Sequence, residues 1–342
     1  MPSIIVLDKL SPDGLALLDA AGRLGISYEV KTGLSGQELK EALASHDGAI
    51  CRSGVKITAD VLAGNHRLRA IVRAGVGTDN IDKQAATRQG IVVMNTPAGN
   101  TVSTAEHAFT LLLALSRNVA PADASLREKR WDRSKYMGVQ LAGKTLGIVG
   151  MGRIGQAVAS RARAFDMRVV VYDPFLAAER AGELGVELFG SVREMLPELD
   201  YLTVHTPLTD DTRHLIGKEE LSLLKPGVRV VNCARGGIYD EEALLEGLES
   251  GVLAGVALDV FETEPCTESP LFGRSDVLVT PHLGASTEEA QSQVAIEGVN
   301  LLTDFLRTGT IRHSVNSSPI DPADLEALRG FLDLGGRLGI LL

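Results

Sequence analysis

Between residues 144 and 173 the chain reads Lys144-Thr145-Leu146-Gly147-Ile148-Val149, then Gly150-Met151-Gly152-Arg153-Ile154-Gly155. Val158, Ala162 and Phe165 follow at helical spacing, and Arg168-Val169-Val170-Val171-Tyr172 runs into Asp173. A short apolar run, a glycine turn, an amphipathic helix, a second apolar run and an acid, all within about 30 residues, predict a βαβ unit built to hold a dinucleotide. Gly150 permits the tight turn out of the first strand. Gly152 removes a side chain where backbone must approach a pyrophosphate, and Gly155 lets helix and strand pack closely. The helix start offers unpaired N–H groups and a positive dipole end to the anion. Asp173 stands where a carboxylate can accept from both ribose hydroxyls. A 2′-phosphate at ~4 Å would meet a gross repulsion of about 4 kcal/mol at an effective dielectric of ~20. The unit therefore predicts NAD rather than NADP.

A chain of 342 residues has room for two domains with their own cores, and its 44% hydrophobic and 23% charged residues describe a globular chain. The formal net charge of −10 argues against a general nucleic-acid or membrane-surface role. An anionic substrate must then be drawn by a local basic cluster. Cys51, Cys233 and Cys266 are an odd number at no metal-like spacing, and no metal is expected. No signal peptide is visible, and the apolar runs fall short of the ~20 residues that span a bilayer. The expectation is a soluble, reduced, cytoplasmic protein.

Alternation of short apolar runs with helical patterns predicts a doubly wound α/β layout in both halves. Ile4–Leu7, Ser27–Val30, Gly48–Cys51, Ala70–Arg73 and Ile91–Met94 read as strands of a first domain, with a helix at Gly36–Ser45. A helix follows from about Ser103 to Val119, with Ser103 and Glu106 at capping-box spacing. A polar arm, Ala122 to Gln140, holds the only tryptophan, Trp131. Later strands fall at Tyr201–His205, Val228–Cys233, Gly255–Asp259 and Val277–Thr280, and a long helix runs from Thr287 to about Arg307. That helix is long enough to return to the first domain. The predicted architecture is two doubly wound, Rossmann-like domains: residues 1–98 with 284–316 form a discontinuous substrate (lid) domain, and residues 99–283 the inserted NAD-binding domain. In the tail, residues 317–342, Pro319-Ile320-Asp321-Pro322 predicts a new helix, and the apolar end Gly339-Ile340-Leu341-Leu342 has the look of a cut boundary or a docking segment.

Three further segments carry chemistry. Asn232-Cys233-Ala234-Arg235-Gly236-Gly237 follows an apolar strand, where ligands of open α/β sheets bind. An arginine there can hold a carboxylate bidentately, worth roughly 1.5–3 kcal/mol through charge assistance, though a solvated loop arginine fits the same pattern. Leu258-Asp259-Val260-Phe261-Glu262-Thr263-Glu264-Pro265 supplies three carboxylates at another strand end. Thr280-Pro281-His282-Leu283-Gly284 places a histidine between a strand and a helix start. Histidine is the side chain best poised to exchange a proton near neutral pH, and a carboxylate held against it fixes its tautomer. His46, His66, His107, His205, His214 and His313 read as structural or surface groups.

Taken in order, Gly150–Gly155 with Asp173, Asn232–Gly237, Asp259–Pro265 and Pro281–Thr287 resemble the signature blocks of the D-isomer-specific 2-hydroxyacid dehydrogenases. Arg73-Ala74-Gly75-Val76-Gly77-Thr78-Asp79-Asn80 resembles the family's substrate-side glycine loop, and Asn95-Thr96-Pro97-Ala98-Gly99-Asn100 its hinge-proximal turn. The resemblance runs from about residue 3 to residue 316. It implies that His282 is the acid–base residue, Glu264 its carboxylate partner and Arg235 the substrate-carboxylate ligand. It implies Arg153 and Ile154 at the pyrophosphate, Asp173 at the ribose, and Thr206, Cys233, Ala234 and Asp259 along the nicotinamide half, with Thr78 approaching the cofactor. Arg52, Arg73, Gly75, Val76 and Asn100 become substrate-side residues, and Arg133 and Lys135 resemble an arm that reaches a partner subunit. For Lys135 a solvated arm is the alternative. With these basic residues the resemblance implies a phosphorylated substrate, D-3-phosphoglycerate, and the arm resemblance implies a homodimer or homotetramer. A sister dehydrogenase acting on glyoxylate or hydroxypyruvate, and an NAD-sensing corepressor-like binding protein, remain open. Longer family members carry a C-terminal regulatory domain that begins near where these residues stop.

Overall fold

The computed structural model describes residues 1–317, 330, 331, 334 and 335. The tail reading at Pro319–Pro322 and at 339–342 lies outside the described residues. The chain divides into two compact units, one of Met1–Asn100 with the described residues from Thr287 onward, the other of Thr101–Ser286.

In the first unit β1 (Ser3–Val6), α1 (Pro12–Gly22), β2 (Ser27–Val30), α2 (Gly36–Ala44), β3 (Gly48–Cys51), α3 (Ala59–Leu62), β4 (Ala70–Arg73), α4 (Lys83–Arg88) and β5 (Val92–Asn95) alternate along the chain. All pairings are parallel, in the order β2-β1-β3-β4-β5. Parallel strands require crossovers, so the strands inside the sheet are buried on both faces and their side chains serve two cores in turn, while the edge strand β2 is partly exposed. Ile4, Val6, Ile50, Ala70, Val72 and Met94 point to one face. Ile5, Leu7, Ala49, Cys51, Ile71 and Val93 point to the other.

The second unit holds α5 (Thr101–Ser116), α6 (Val119–Arg127), β6 (Thr145–Val149), α7 (Arg153–Ala164), β7 (Arg168–Tyr172), α8 (Ala178–Leu184), β8 (Glu187–Leu188), α9 (Val192–Met195), β9 (Tyr201–Val204), α10 (Lys218–Ser222), β10 (Val228–Asn232), α11 (Glu241–Glu249), β11 (Leu253–Leu258) and β12 (Val277–Val279). Its parallel sheet runs β8-β7-β6-β9-β10-β11-β12. The order reverses between β6 and β9, and ligands of such sheets sit beyond the carboxyl ends of the strands at that reversal. The chain then returns to the first unit as α12 (Glu288–Thr308), which puts Val294, Ala295, Val299, Leu302 and Phe305 into the Ile4–Met94 core. Thr287 caps it by accepting from the N–H of Ala290, and Gly309 ends it at φ +78°.

One local reading is corrected. Helix α5 begins at Thr101, so Ser103 falls inside its first turn and is not the capping residue. The arm carries helical pieces: α6 occupies Val119–Arg127 and a 3₁₀ turn occupies Arg133–Tyr136.

Candidate active site

The glycine turn leaves β6 at the sheet's reversal point. Gly150 has φ +93°, and a Cβ there would stand 2.7 Å from the carbonyl oxygen of His205 and 3.1 Å from the Thr206 nitrogen. The turns after β6 and β9 therefore lie against each other, with Thr206 beside the glycines. A Cβ at Gly155 would meet the Gly150 carbonyl oxygen at 2.1 Å, so only glycine lets α7 start so close to the strand. Gly152 has open space where its side chain would be, and Arg153 beside it is exposed. No side chain caps the start of α7, which leaves its first N–H groups to an anion. Asp173 accepts the Met151 N–H at 2.7 Å through one oxygen and the Phe175 N–H at 2.8 Å through the other. Its carboxylate is thus oriented and keeps lone pairs for hydroxyl donors. These residues fit a dinucleotide: a bare, uncapped helix start on one side and an aimed carboxylate on the other.

Beyond the carboxyl ends of β10 and β11 stand the residues read as catalytic. The Nδ1 of His282 lies 2.7 Å from Oε2 of Glu264. A carboxylate only accepts, so Nδ1 carries the hydrogen and the neutral ring keeps its lone pair on Nε2. The imidazole is 48% exposed, open to a ligand. Burial pushes the Glu264 carboxyl up. Hydrogen bonds from His282 and the Phe261 N–H, with the charges of His282 and Arg235, outweigh burial and hold it below its ordinary value. Arg235 is close enough for that charge to be felt because Gly236 lets two loops touch: a Cβ there would lie 1.9 Å from the Phe261 carbonyl. Nη1 of Arg235 donates to the Ala234 carbonyl at 2.6 Å, and Asn232 Nδ2 donates to the Arg235 carbonyl at 2.8 Å, which fixes the loop.

Asp259, read as a cofactor-lining residue, turns its carboxylate into the loop that carries His282. It is 0% exposed, and its oxygens are taken up inside the unit. Oδ1 accepts from Leu283 N–H (2.6 Å), the Thr280 hydroxyl (2.6 Å) and His107 Nε2 (3.2 Å), while Oδ2 accepts from Gly284 N–H (2.8 Å). Burial raises its pKa, but these hydrogen bonds win and leave the carboxyl below its ordinary value. Its carbonyl accepts the His282 N–H at 2.8 Å. Asp259 is the brace of the loop that carries His282, a residue held at φ +56°. Cys233 is buried, and burial pushes its thiol well up, so its contribution is bulk and backbone. His107, Cys233 and Asp259 bring ligand-type atoms within 4.8 Å of one another. Within that trio His107 and Asp259 are joined by a hydrogen bond at 3.2 Å, and Asp259 already accepts from four donors.

On the first unit, Arg52 follows β3 and Arg73 ends β4, adjacent strands whose partners are Cys51 and Arg73. Asp8, after β1, accepts the N–H of Arg52 at 2.6 Å and of Gly54 at 3.1 Å and so shapes that turn. Burial lowers the Arg52 pKa, partly offset by Asp8. Gly75 is buried beneath the guanidinium of Arg73, whose Nη1 occupies the place of its Cβ. Val76 gives its carbonyl to Asn95 Nδ2 at 2.6 Å. Thr78 is only 7% exposed, and its hydroxyl accepts from Lys83 at 3.5 Å. Asn100 carries a buried Oδ1 with no hydrogen-bond partner among the described residues. In the arm, Arg133 is exposed and Lys135 pairs with Asp132 at 3.4 Å. His107, Thr280 and Asp8 are the site residues that sequence reading missed. Their partners are remote in sequence, and no spacing rule reveals them.

Residues 109–284 match the family model described as D-isomer specific 2-hydroxyacid dehydrogenase, NAD binding domain. The chain belongs to that family and carries its NAD-binding domain. Within the family it is 43% identical over 339 residues to the D-3-phosphoglycerate dehydrogenase of Methanocaldococcus jannaschii, covering 99% of this chain and 64% of that protein. It is equally similar to the Bacillus subtilis protein of the same name, covering 99% and 63%. The chain thus spans under two thirds of the length of these relatives. Among solved structures it resembles a glyoxylate reductase from Paecilomyes thermophila, with TM-score 0.85 and 30% identity over 92% of this chain and 98% of that one.

Proposed function

We propose that the protein oxidises D-3-phosphoglycerate to 3-phosphohydroxypyruvate with NAD as hydride acceptor, the first step of serine biosynthesis. The observation that carries the reading is the His282–Glu264 pair at 2.7 Å, because it leaves Nε2 as a base, with the charge of Arg235 felt at the Glu264 carboxylate. The similarity to two D-3-phosphoglycerate dehydrogenases supports the substrate. A nicotinamide held there would supply the acceptor for the hydride of C2. His282 Nε2 takes the hydroxyl proton, so the C2 alcohol becomes a ketone and the imidazole an imidazolium. Glu264 stabilises that cation. Arg235 holds the substrate carboxylate bidentately and fixes its orientation. Arg52 and Arg73 supply positive charge for the phosphate against the net charge of −10. Arg153, Ile154 and Asp173 hold the dinucleotide's pyrophosphate and ribose. Thr206, Cys233 and Ala234 flank its nicotinamide half.

For the assembly, we infer a homodimer formed through the arm. Trp131 is 81% and Met137 84% exposed, and both line an 820 Å³ concavity with Arg117, Arg133 and Tyr136. Among the described residues no helix is long and apolar enough to cross a membrane, and the three cysteines are free. Both facts agree with a reduced cytoplasmic setting.

NADH formation against a panel of 2-hydroxy acids, with and without a phosphate, tests the reading. Turnover with D-3-phosphoglycerate at least about tenfold better in kcat/KM than with glycerate is expected if the phosphate is bound by charge. The likeness to a glyoxylate reductase gives a second reading, supported if glyoxylate reduction prevails. NADH binding without turnover on any acid would leave an NAD-sensing binding protein.

A further inference from the structure

We infer that His107, on α5, is a positioning residue for His282, acting through Asp259 and Thr280 and touching no substrate; this deepens the dehydrogenase reading and rests on it. His107 Nε2 stands 3.2 Å from Asp259 Oδ1 and 3.1 Å from Thr280 Oγ1. The Thr280 hydroxyl spends its hydrogen on Asp259, so it can only accept from His107. Asp259 is also an acceptor. Nε2 of His107 therefore carries the hydrogen and is shared between the two oxygens. The ring closes a network in which Asp259 receives the N–H groups of Leu283 and Gly284, and its backbone carbonyl, with that of Thr280, receives the N–H of His282.

The loop needs this support. At φ +56° His282 sits in the left-handed region, which costs a non-glycine residue of order 1 kcal/mol. Such a conformation persists where surrounding bonds over-determine it. Removing the His107 donor leaves the buried Asp259 Oδ1 with two donors, the Leu283 N–H and the Thr280 hydroxyl, where it had three, and frees Thr280 to turn. Either change lets the 280–284 loop relax and shifts the imidazole against Glu264. His282 is paired with Glu264, whose carboxylate also feels the charge of Arg235; the groups facing His107 are Asp259, Thr280 and Cys233. No other charged group is bonded to either ring among the described residues.

The test uses two variants of the full chain. His107→Leu removes the donor while keeping an apolar helix face. His107→Gln places an amide N–H near the position of Nε2. The measurements are kcat and KM for D-3-phosphoglycerate, NADH affinity by fluorescence, the pH–rate profile, and the ¹⁵N shifts of the His282 ring, which report its tautomer and its bond to Glu264. His107→Leu is expected to lower kcat by about 10- to 100-fold, the scale of a small misplacement of a reacting group. Its KM and NADH affinity should change little, the acid limb of its profile should move, and its His282 shifts should move with it. His107→Gln should recover most of kcat and the wild-type shifts. Equal loss in both variants, or lost stability with kcat and His282 shifts unchanged, overturns the proposal. If the wild type turns over none of the acids, the functional reading fails, while moved His282 shifts in His107→Leu alone still uphold the positioning role.

Discussion

Asp173 shows how much one carboxylate decides. It accepts the Met151 N–H and so braces the glycine turn, and the proposed function gives it the ribose hydroxyls as well. Asp173→Ala should raise the kcat/KM ratio of NADP to NAD at least about tenfold, since a gross repulsion of about 4 kcal/mol disappears with the charge; an unchanged ratio counts against that role. Arg52→Gln should raise KM for the phosphorylated substrate about 10- to 100-fold and leave an unphosphorylated 2-hydroxy acid nearly unaffected, as loss of a charge-assisted bond implies. Steady-state kinetics on both acids decides it. Asp259 and Glu264 hold protons less readily in the folded chain than their ordinary values. Their stabilising contribution is present above the ordinary carboxylate range and is lost as pH falls through the lowered folded values. Asp259→Asn should therefore flatten the acid limb of the stability curve. It should also cost about 1–3 kcal/mol at neutral pH, because an amide cannot accept from all the donors that converge there. Urea unfolding across pH measures both effects.

The strands and the glycine turn were readable because their signals are local: β2, β3, β4 and β7 fall on the residues that periodicity marks, and β5 is shifted by one. The start of α5 was not, since Ser103 and Glu106 match a capping pattern two residues inside the actual helix. Helix propensity extends past such a signal when the preceding residues adopt helical backbone as well. The arm hid its two helical pieces because α6 has few buried residues and so no apolar stripe. His282 and Glu264 could be paired in advance through the family's blocks, but the donors that converge on the Asp259 carboxylate could not. His107 lies 152 residues from Asp259 in sequence and gave no sign of that contact. At this scale the close start of α7 is testable. Gly155→Ala puts a Cβ 2.1 Å from the Gly150 carbonyl and must push helix from strand. A loss of about 1–3 kcal/mol, as overpacking costs, with weakened NADH binding, is expected from thermal unfolding and fluorescence titration. Unaltered values would show that the turn has slack.

The whole molecule is two parallel-sheet units, each with a core on either face of its sheet, and the reaction assigned to it depends on chemistry concentrated in the second. If the exposed Trp131 and Met137 are covered by a second copy, sedimentation should give a dimer, and Trp131→Asp should shift it toward monomer without unfolding either unit. A variant that still sediments as wild type would place the interface elsewhere. The central claim is that the Nε2 lone pair of His282, exposed because Glu264 holds Nδ1, accepts the proton of the substrate alcohol. Single-turnover NADH formation from D-3-phosphoglycerate by His282→Gln, beside wild type with NADH affinity measured on both, tests it most directly. The account requires a fall of at least about 10²-fold in the rate of that step with NADH still bound; a variant that turns over at near the wild-type rate would contradict it.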